Sequence, residues 1–190
     1  MSETPRIIIL NGVGSVGKSS VARAMQAVAR LPMLHVSMDA FIDMMPAHLF
    51  GHADGLVFVR TGDGQQPAIE IRSGHVVERT LRGMRHAVAA MASQGNHLIV
   101  DDVMIGENID LEYRTLLSAC DVRIVGLFAP LDVLEMREKE RGDREIGLAR
   151  WQFDRVHKGR TYDLEIDTGA ASSEESARLI CDAFGLLPAG

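Results

Sequence analysis

Cysteine is scarce in this sequence: Cys120 and Cys181 are the only two in 190 residues, with no short spacing between them. That excludes a disulfide framework and a cysteine-based metal knuckle, and leaves two reduced, buried thiols as the expectation. No apolar run approaches the ~18 residues that a membrane span requires, so no membrane partner is expected. The seven histidines are scattered, and none stands at metal-ligand spacing from a Cys, a Glu or another His. Positive charge is in deficit, with 20 Lys and Arg against 26 Asp and Glu and a formal net charge of −6. This argues against nucleic acid as the main partner, which would show a basic footprint, but not against one nucleotide. The first residues, Met1 to Arg6, hold no basic segment leading into an apolar stretch. The expectation is therefore no signal peptide and a cytoplasmic location.

What is present is ordinary for a globular protein, with 46% hydrophobic and 24% charged residues. The length predicts a single domain over 1–190. Short apolar runs alternate with helical patterns, and no repeat interrupts them. Ile7 to Leu10 is continuous and β-branched, as in a strand buried on both faces. A helix carrying Val21, Ala22 and Met25 follows it, and Leu34 to Met38 reads as a second strand. Leu56 to Arg60 and Ala68 to Arg72, separated by Gly62-Asp-Gly64, read as an inserted hairpin. A helix from Val76 to Ser93 closes at Gly95, a C-cap residue. Strands at His97 to Val100, Val122 to Phe128 and Leu164 to Ile166 alternate with helices at Leu111 to Ser118, Leu131 to Glu140 and Glu145 to His157. Ser172-Ser-Glu-Glu175 opens a capped helix that runs to about Phe184. Five strands alternating with helices predict a three-layer α/β/α fold around a parallel sheet.

Gly12-Val13-Gly14-Ser15-Val16-Gly17-Lys18-Ser19, followed by Ser20, fits the phosphate-loop pattern at every fixed position. A buried strand precedes it and a helix follows. Glycines let successive backbone N–H groups turn into one concavity, and the helix dipole faces the same anion. Lys18 supplies a point charge for the outer phosphates. The Ser19 hydroxyl can join the shell of Mg²⁺.

Asp101-Asp102 ends a buried strand, the edge where open α/β sheets bind ligands. One of the two is expected to serve the metal, and alternation along the strand leaves open which. Asp39 ends the second strand on the same edge and could accept the proton of an attacking hydroxyl. An N-cap for Ala40 to Met45 is the alternative. Phe41, Met44, Met45 and Pro46 follow it and could line an acceptor pocket. Arg137, Arg141 and Arg144 crowd the end of a helix after the fourth strand. Guanidinium groups there suit a lid, over about 137–150, that stabilises a moving phosphoryl unit.

Ile8 to Gly12 running into Gly17-Lys18-Ser19, Asp39 with Met45-Pro46, Ile99 to Val103, Arg141 to Arg144, and Tyr162 to Thr168 occur in order along the chain. Together they resemble the chloramphenicol phosphotransferase family from about Arg6 to Phe184. The resemblance implies a fold like that of adenylate and shikimate kinases, ATP and Mg²⁺ as cofactors, and transfer of the γ-phosphate to a primary hydroxyl. It also implies Asp39 as general base, Lys18 and Ser19 as phosphate and Mg²⁺ contacts, and Arg137, Arg141 and Arg144 as lid arginines. The segment from His48 to Arg72 departs from the family pattern. With the residues from 40, it is expected to cover the acceptor as an insert over about 40–75. Two other functions stay open: a kinase for an unrelated metabolite, and a nucleotide-hydrolysing switch with Glu107 orienting water.

Overall fold

The computed structural model describes residues 3–61, 68–142 and 145–188. Arg144 and the Gly62-Asp-Gly64 turn lie outside the described residues. The elements follow in the order β1 (Arg6–Gly12), α1 (Lys18–Val28), β2 (Met33–Ser37), α2 (Met38–Ile42) and a 3₁₀ turn at Ala47–Leu49. The hairpin β3 (Leu56–Arg60) and β4 (Ile69–Ser73) comes next, then α3 (His75–Ser93), β5 (His97–Asp102) and α4 (Ile109–Leu116). The chain closes with β6 (Asp121–Phe128), α5 (Leu131–Arg141), α6 (Leu148–Phe153), β7 (Leu164–Asp167) and α7 (Ser173–Ala183).

Five strands form one parallel sheet in the order β2-β5-β1-β6-β7. Side chains alternate along β1, so its two faces feed two cores. Ile8 and Leu10 pack with Val21 and Met25 of α1 and Ile180 of α7. Ile7 and Ile9 pack with Met84 and Val88 of α3 and Tyr113 of α4. The result is the expected three-layer architecture, with the phosphate loop at the C-terminal edge of the central strand. The hairpin β3–β4 is antiparallel and stands outside this sheet. Leu56 of the hairpin, Val77 of α3 and Met45 form a third, smaller core.

Two local expectations are corrected. Asp39 does not end β2; the strand stops at Ser37, and Asp39 lies in the first turn of α2. The helix expected over Glu145 to His157 is reduced to Leu148–Phe153. Gly147, at φ 105°, sets its start. At the other end the Arg155 guanidinium takes the Trp151 carbonyl at 2.7 Å, and the chain passes into turns closing at Gly159, φ 71°. The capped start of α7 is present as read: Ser172 Oγ accepts from the Glu175 N–H, and the Glu175 carboxylate accepts from the Ser172 N–H.

Candidate active site

The phosphate loop is shaped by close approach. A Cβ on Gly12 would stand 2.7 Å from the Leu127 carbonyl oxygen, so only glycine fits against β6. Gly17, at φ 99°, turns the backbone into α1. Val13 and Val16 are buried anchors in the core beneath the loop. Ser15 to Val21 line a cavity of about 380 Å³. Gly12, Val13 and Gly14 form the base of the loop instead.

Long-range side chains brace that base. The Gly14 N–H donates to Gln152 Oε1 of α6 at 2.7 Å. Thr168, just past β7, donates its hydroxyl to the Val16 carbonyl at 2.8 Å. Asn11 Nδ2 donates to the Val156 carbonyl and to the Tyr162 hydroxyl, at 3.1 and 2.7 Å. The Tyr162 hydroxyl and His157 Nδ1 share a hydrogen bond at 2.7 Å. His157 stacks on Phe128 with ring centroids 3.9 Å apart. Burial pushes its pKa down to about 4, and the Lys18 and Arg160 charges push the same way.

Lys18 is buried, and its Nζ donates to the Gly12 and Val13 carbonyls at 2.9 and 3.1 Å. It lies 3.9 Å from Asp101 Oδ1. Ser19 Oγ donates to Asp101 Oδ2 at 2.5 Å, and His35 Nε2 is 3.6 Å from the same oxygen. Burial pushes the Asp101 carboxyl up. The pull of His35, Lys18 and the Ser19 hydroxyl outweighs it and holds the group below the usual carboxylate value.

The structure separates the acidic pair. Asp102 accepts from the Tyr113 hydroxyl at 2.8 Å and from the Val103 N–H at 2.7 Å. Burial raises its pKa despite those two bonds. Of the pair, only Asp101 joins Lys18 and Ser19 in lining the first cavity.

Arg137 and Arg141, one turn apart on α5, line the same cavity. Arg137 also donates to the Thr168 carbonyl at 2.8 Å. Buried Glu138, between them, takes the N–H groups of Gly147 and Ala149 at 2.7 and 2.8 Å. A carboxylate on α5 therefore holds the start of α6, the helix that carries Gln152.

A second cavity of about 520 Å³ opens beside the first, and Asp39 and Arg141 line both. Its apolar wall comes from the hairpin (Leu56, Phe58, Ile71), from Phe50, and from Trp151 of α6. Phe41, Met44, Met45 and Pro46, expected here, line neither cavity. Phe41 packs on the α3 core, Met45 is buried under the hairpin, Met44 is 65% exposed, and Pro46 opens the 3₁₀ turn. The helical period of α2 explains the exchange: Asp39, Ile42 and Asp43 share the face toward the cavity, and Phe41 points inward. Glu107 is exposed and lines neither cavity.

Gln152, Thr168 and the hairpin side chains were not singled out from sequence. Gln152 meets the loop from 138 residues away, and no local pattern announces such a contact. Thr168 closes the Tyr162 to Thr168 stretch noted above, but nothing in that stretch predicts its bond to Val16.

Residues 5–185 match the family model described as chloramphenicol phosphotransferase-like protein. A Mycobacterium tuberculosis protein provisionally named an O-phosphotransferase is 28% identical over 188 residues, covering 96% of this chain and 84% of its own. Among solved structures, the M. tuberculosis APS kinase, in complex with AMPPNP and APS, superposes with a TM-score of 0.64 at 16% identity. The match covers 96% of this chain and 98% of that one. A gluconokinase from Sinorhizobium meliloti gives a TM-score of 0.61 at 15% identity, covering 96% and 93%. At such identities these two structures speak for the fold alone. No helix among the described residues is long and apolar enough to cross a membrane.

Proposed function

The chain belongs to the chloramphenicol phosphotransferase-like family, a phosphotransferase acting on a hydroxyl group, and we propose that it moves the γ-phosphate of ATP to a small, largely uncharged alcohol. Chloramphenicol or a similar compound is the proposed acceptor. The observation that carries this reading is the position of Asp39 in the walls of both cavities. A carboxylate there reaches a hydroxyl in the second cavity and a phosphate in the first.

Each group then has a task. Backbone N–H groups of Ser15 to Ser20 hold phosphate oxygens at the N-terminus of α1. Lys18 leaves the Gly12 and Val13 carbonyls for the outer phosphates. Asp39 takes the acceptor's proton as its oxygen attacks the γ-phosphorus, and the bond to the leaving ADP oxygen breaks. Arg137 and Arg141 balance the charge spread over the moving phosphoryl group. Arg144, outside the described residues, is proposed to add to that charge.

Ser19 and Asp101 offer two hard oxygens at one point of the nucleotide cavity, a donor set that suits Mg²⁺ arriving with phosphates and water. Held by Ser19 and Asp101, Mg²⁺ would supply positive charge that offsets the charge of the phosphates. Asp102, engaged by Tyr113, is left out of this assignment. The acceptor would sit against Phe58, Ile71 and Trp151 in place of the methionine stretch first expected.

The test is phosphate transfer from γ-labelled ATP with Mg²⁺, with and without chloramphenicol, separating phosphorylated compound from free phosphate. Label on the drug supports the reading. Phosphate release at one rate with or without any alcohol supports a hydrolytic switch instead.

A further inference from the structure

The start of α6 has no cap of its own. Its N-cap position is Gly147, at φ 105°, and its first turn holds no acidic side chain. The acceptors come from α5 instead, where Glu138 is only 2% exposed. Glu138 Oε2 takes the Gly147 N–H at 2.7 Å, and Oε1 takes the Ala149 N–H at 2.8 Å. A carboxylate is almost never buried without such partners, and hydrogen bonds to its charge are the stronger kind. A serine or aspartate at position 147 would cap α6 locally. Glycine there, with a buried carboxylate on the neighbouring helix, ties the two helices together.

Several parts of the site meet at this tie. The Gly147 carbonyl takes the Ile69 N–H of the hairpin at 3.0 Å. Further along α6, Gln152 takes the Gly14 N–H of the phosphate loop at 2.7 Å. Arg137 and Arg141 flank Glu138 on α5, and both line the first cavity. Arg137 has a separate anchor, the Thr168 carbonyl at 2.8 Å, and Thr168 is itself bonded to Val16. Arg141 is the last residue of α5, before Gly142 at φ 68°. The bond from Glu138 to Gly147 spans nine positions of sequence and encloses Arg141 between its two ends.

We propose that Glu138 is a positioning residue for phosphoryl transfer, acting through Arg141. Its carboxylate fixes the end of the arginine helix to α6, and Gln152 fixes α6 to the phosphate loop. The inference rests on the reading of the first cavity as the nucleotide site. The run Arg141, Glu138, Ala149, Gln152, Gly14 sets where the guanidinium stands relative to the phosphates. Leu148 and Ala149 are buried and seat α6 by their own packing. Loss of the carboxylate therefore loosens the end of α5 more than α6. The resting hold on ATP comes from the loop and Lys18, whereas Arg141 serves the phosphoryl group in motion. Breaking the tie slows transfer and spares nucleotide affinity.

Glu138→Gln keeps the shape but turns one acceptor oxygen into a donor, so one of the two bonds is lost. Single-turnover loss of γ-label from ATP with Mg²⁺, to chloramphenicol and to water alone, is measured in wild type, Glu138→Gln, Arg141→Ala and the double variant. AMPPNP affinity is measured on the same samples by calorimetry. Glu138→Gln is expected to slow label transfer by about tenfold or more, with AMPPNP affinity within about threefold of wild type. In the Arg141→Ala background the same substitution is expected to cost no more than about twofold, because the two residues act as a unit. Glu135→Gln is the control. It breaks the 2.7 Å ion pair with Arg150, which joins the same two helices, and is expected to change the rate by less than about twofold. Glu138→Asp, with the charge on a shorter arm, serves as the second variant if Gln disturbs folding, and the same dependence on Arg141 is expected of it. A wild-type rate in Glu138→Gln, the same fold-loss with and without Arg141, or an equal loss in Glu135→Gln would overturn the inference and leave the phosphotransfer reading intact. No loss of label from ATP with the wild type, to chloramphenicol or to water, overturns both.

Discussion

Ser19 Oγ donates to Asp101 Oδ2 at 2.5 Å, joining the first turn of α1 to the end of β5 across 82 positions of sequence. The neighbouring carboxylate faces elsewhere, taking the Tyr113 hydroxyl at 2.8 Å. The two acidic residues should therefore fail in different ways. Asp101→Asn is expected to raise the Mg²⁺ concentration for half-maximal transfer by about tenfold or more, with the fold retained. Asp102→Val leaves a buried tyrosine hydroxyl without its acceptor and should cost about 1–3 kcal/mol of stability. Urea unfolding and a Mg²⁺ titration on both variants check the separation; equal effects on both readouts would refute it.

The bond from Gly14 N–H to Gln152 Oε1 ties the phosphate loop to a helix that also walls the second cavity. Gln152→Leu keeps the bulk and removes the acceptor. A buried N–H is then unpaired, at a cost of about 1–3 kcal/mol. The KM for ATP should rise severalfold, because the loop loses the side chain that braces its base. Steady-state kinetics with ATP varied, beside a thermal melt, gives the answer. An unchanged KM would mean that the brace is dispensable.

Much of this is legible in the sequence alone. The phosphate loop is a local motif with a strand before it and a helix after it, so its place at the sheet edge follows from sequence alone. The five strands were readable because runs such as Ile7 to Leu10 and Leu98 to Val100 are apolar without a break, as buried parallel strands are. Of the second cavity, only the hairpin side was readable, as part of the insert over about 40–75. Its walls come from the hairpin, α3 and α6, which meet only in three dimensions, and Gln152 reaches Gly14 from the far end of the chain. Of the stretch expected to line a pocket, only Phe41 belongs to the five-residue helix α2, whose period turns it inward; Met44, Met45 and Pro46 fall beyond that helix, where no period places a side chain.

His157 gives a dependence on pH. Its pKa is pushed down to about 4 in the folded protein, against an ordinary value of 6.5. Between those values the unfolded chain takes up a proton that the folded protein does not. Stability therefore falls as pH drops from about 6.5 towards 4, and this group causes no further loss below that. In His157→Gln that part of the slope should vanish. Urea midpoints for both proteins between pH 7 and 4.5 decide it, and parallel curves would contradict the assignment.

Lys18 bridges the carbonyls of Gly12 and Val13 and lies near Asp101. Lys18→Ala should abolish phosphate transfer without unfolding the chain, since the core beneath the loop is apolar and does not depend on this amine. Circular dichroism alongside the transfer assay tests both halves. A variant that keeps more than about a tenth of wild-type transfer would remove Lys18 from its role in balancing phosphate charge.

The position of Asp39 between the two cavities is tested most directly by single-turnover transfer of γ-label to an accepted alcohol in wild type and Asp39→Asn, with ATP affinity measured on the same samples. A loss of about 100-fold or more in transfer, with ATP affinity changed by no more than about threefold, is the predicted result. Transfer at the wild-type rate in Asp39→Asn would contradict it and move the proton acceptor elsewhere in the site.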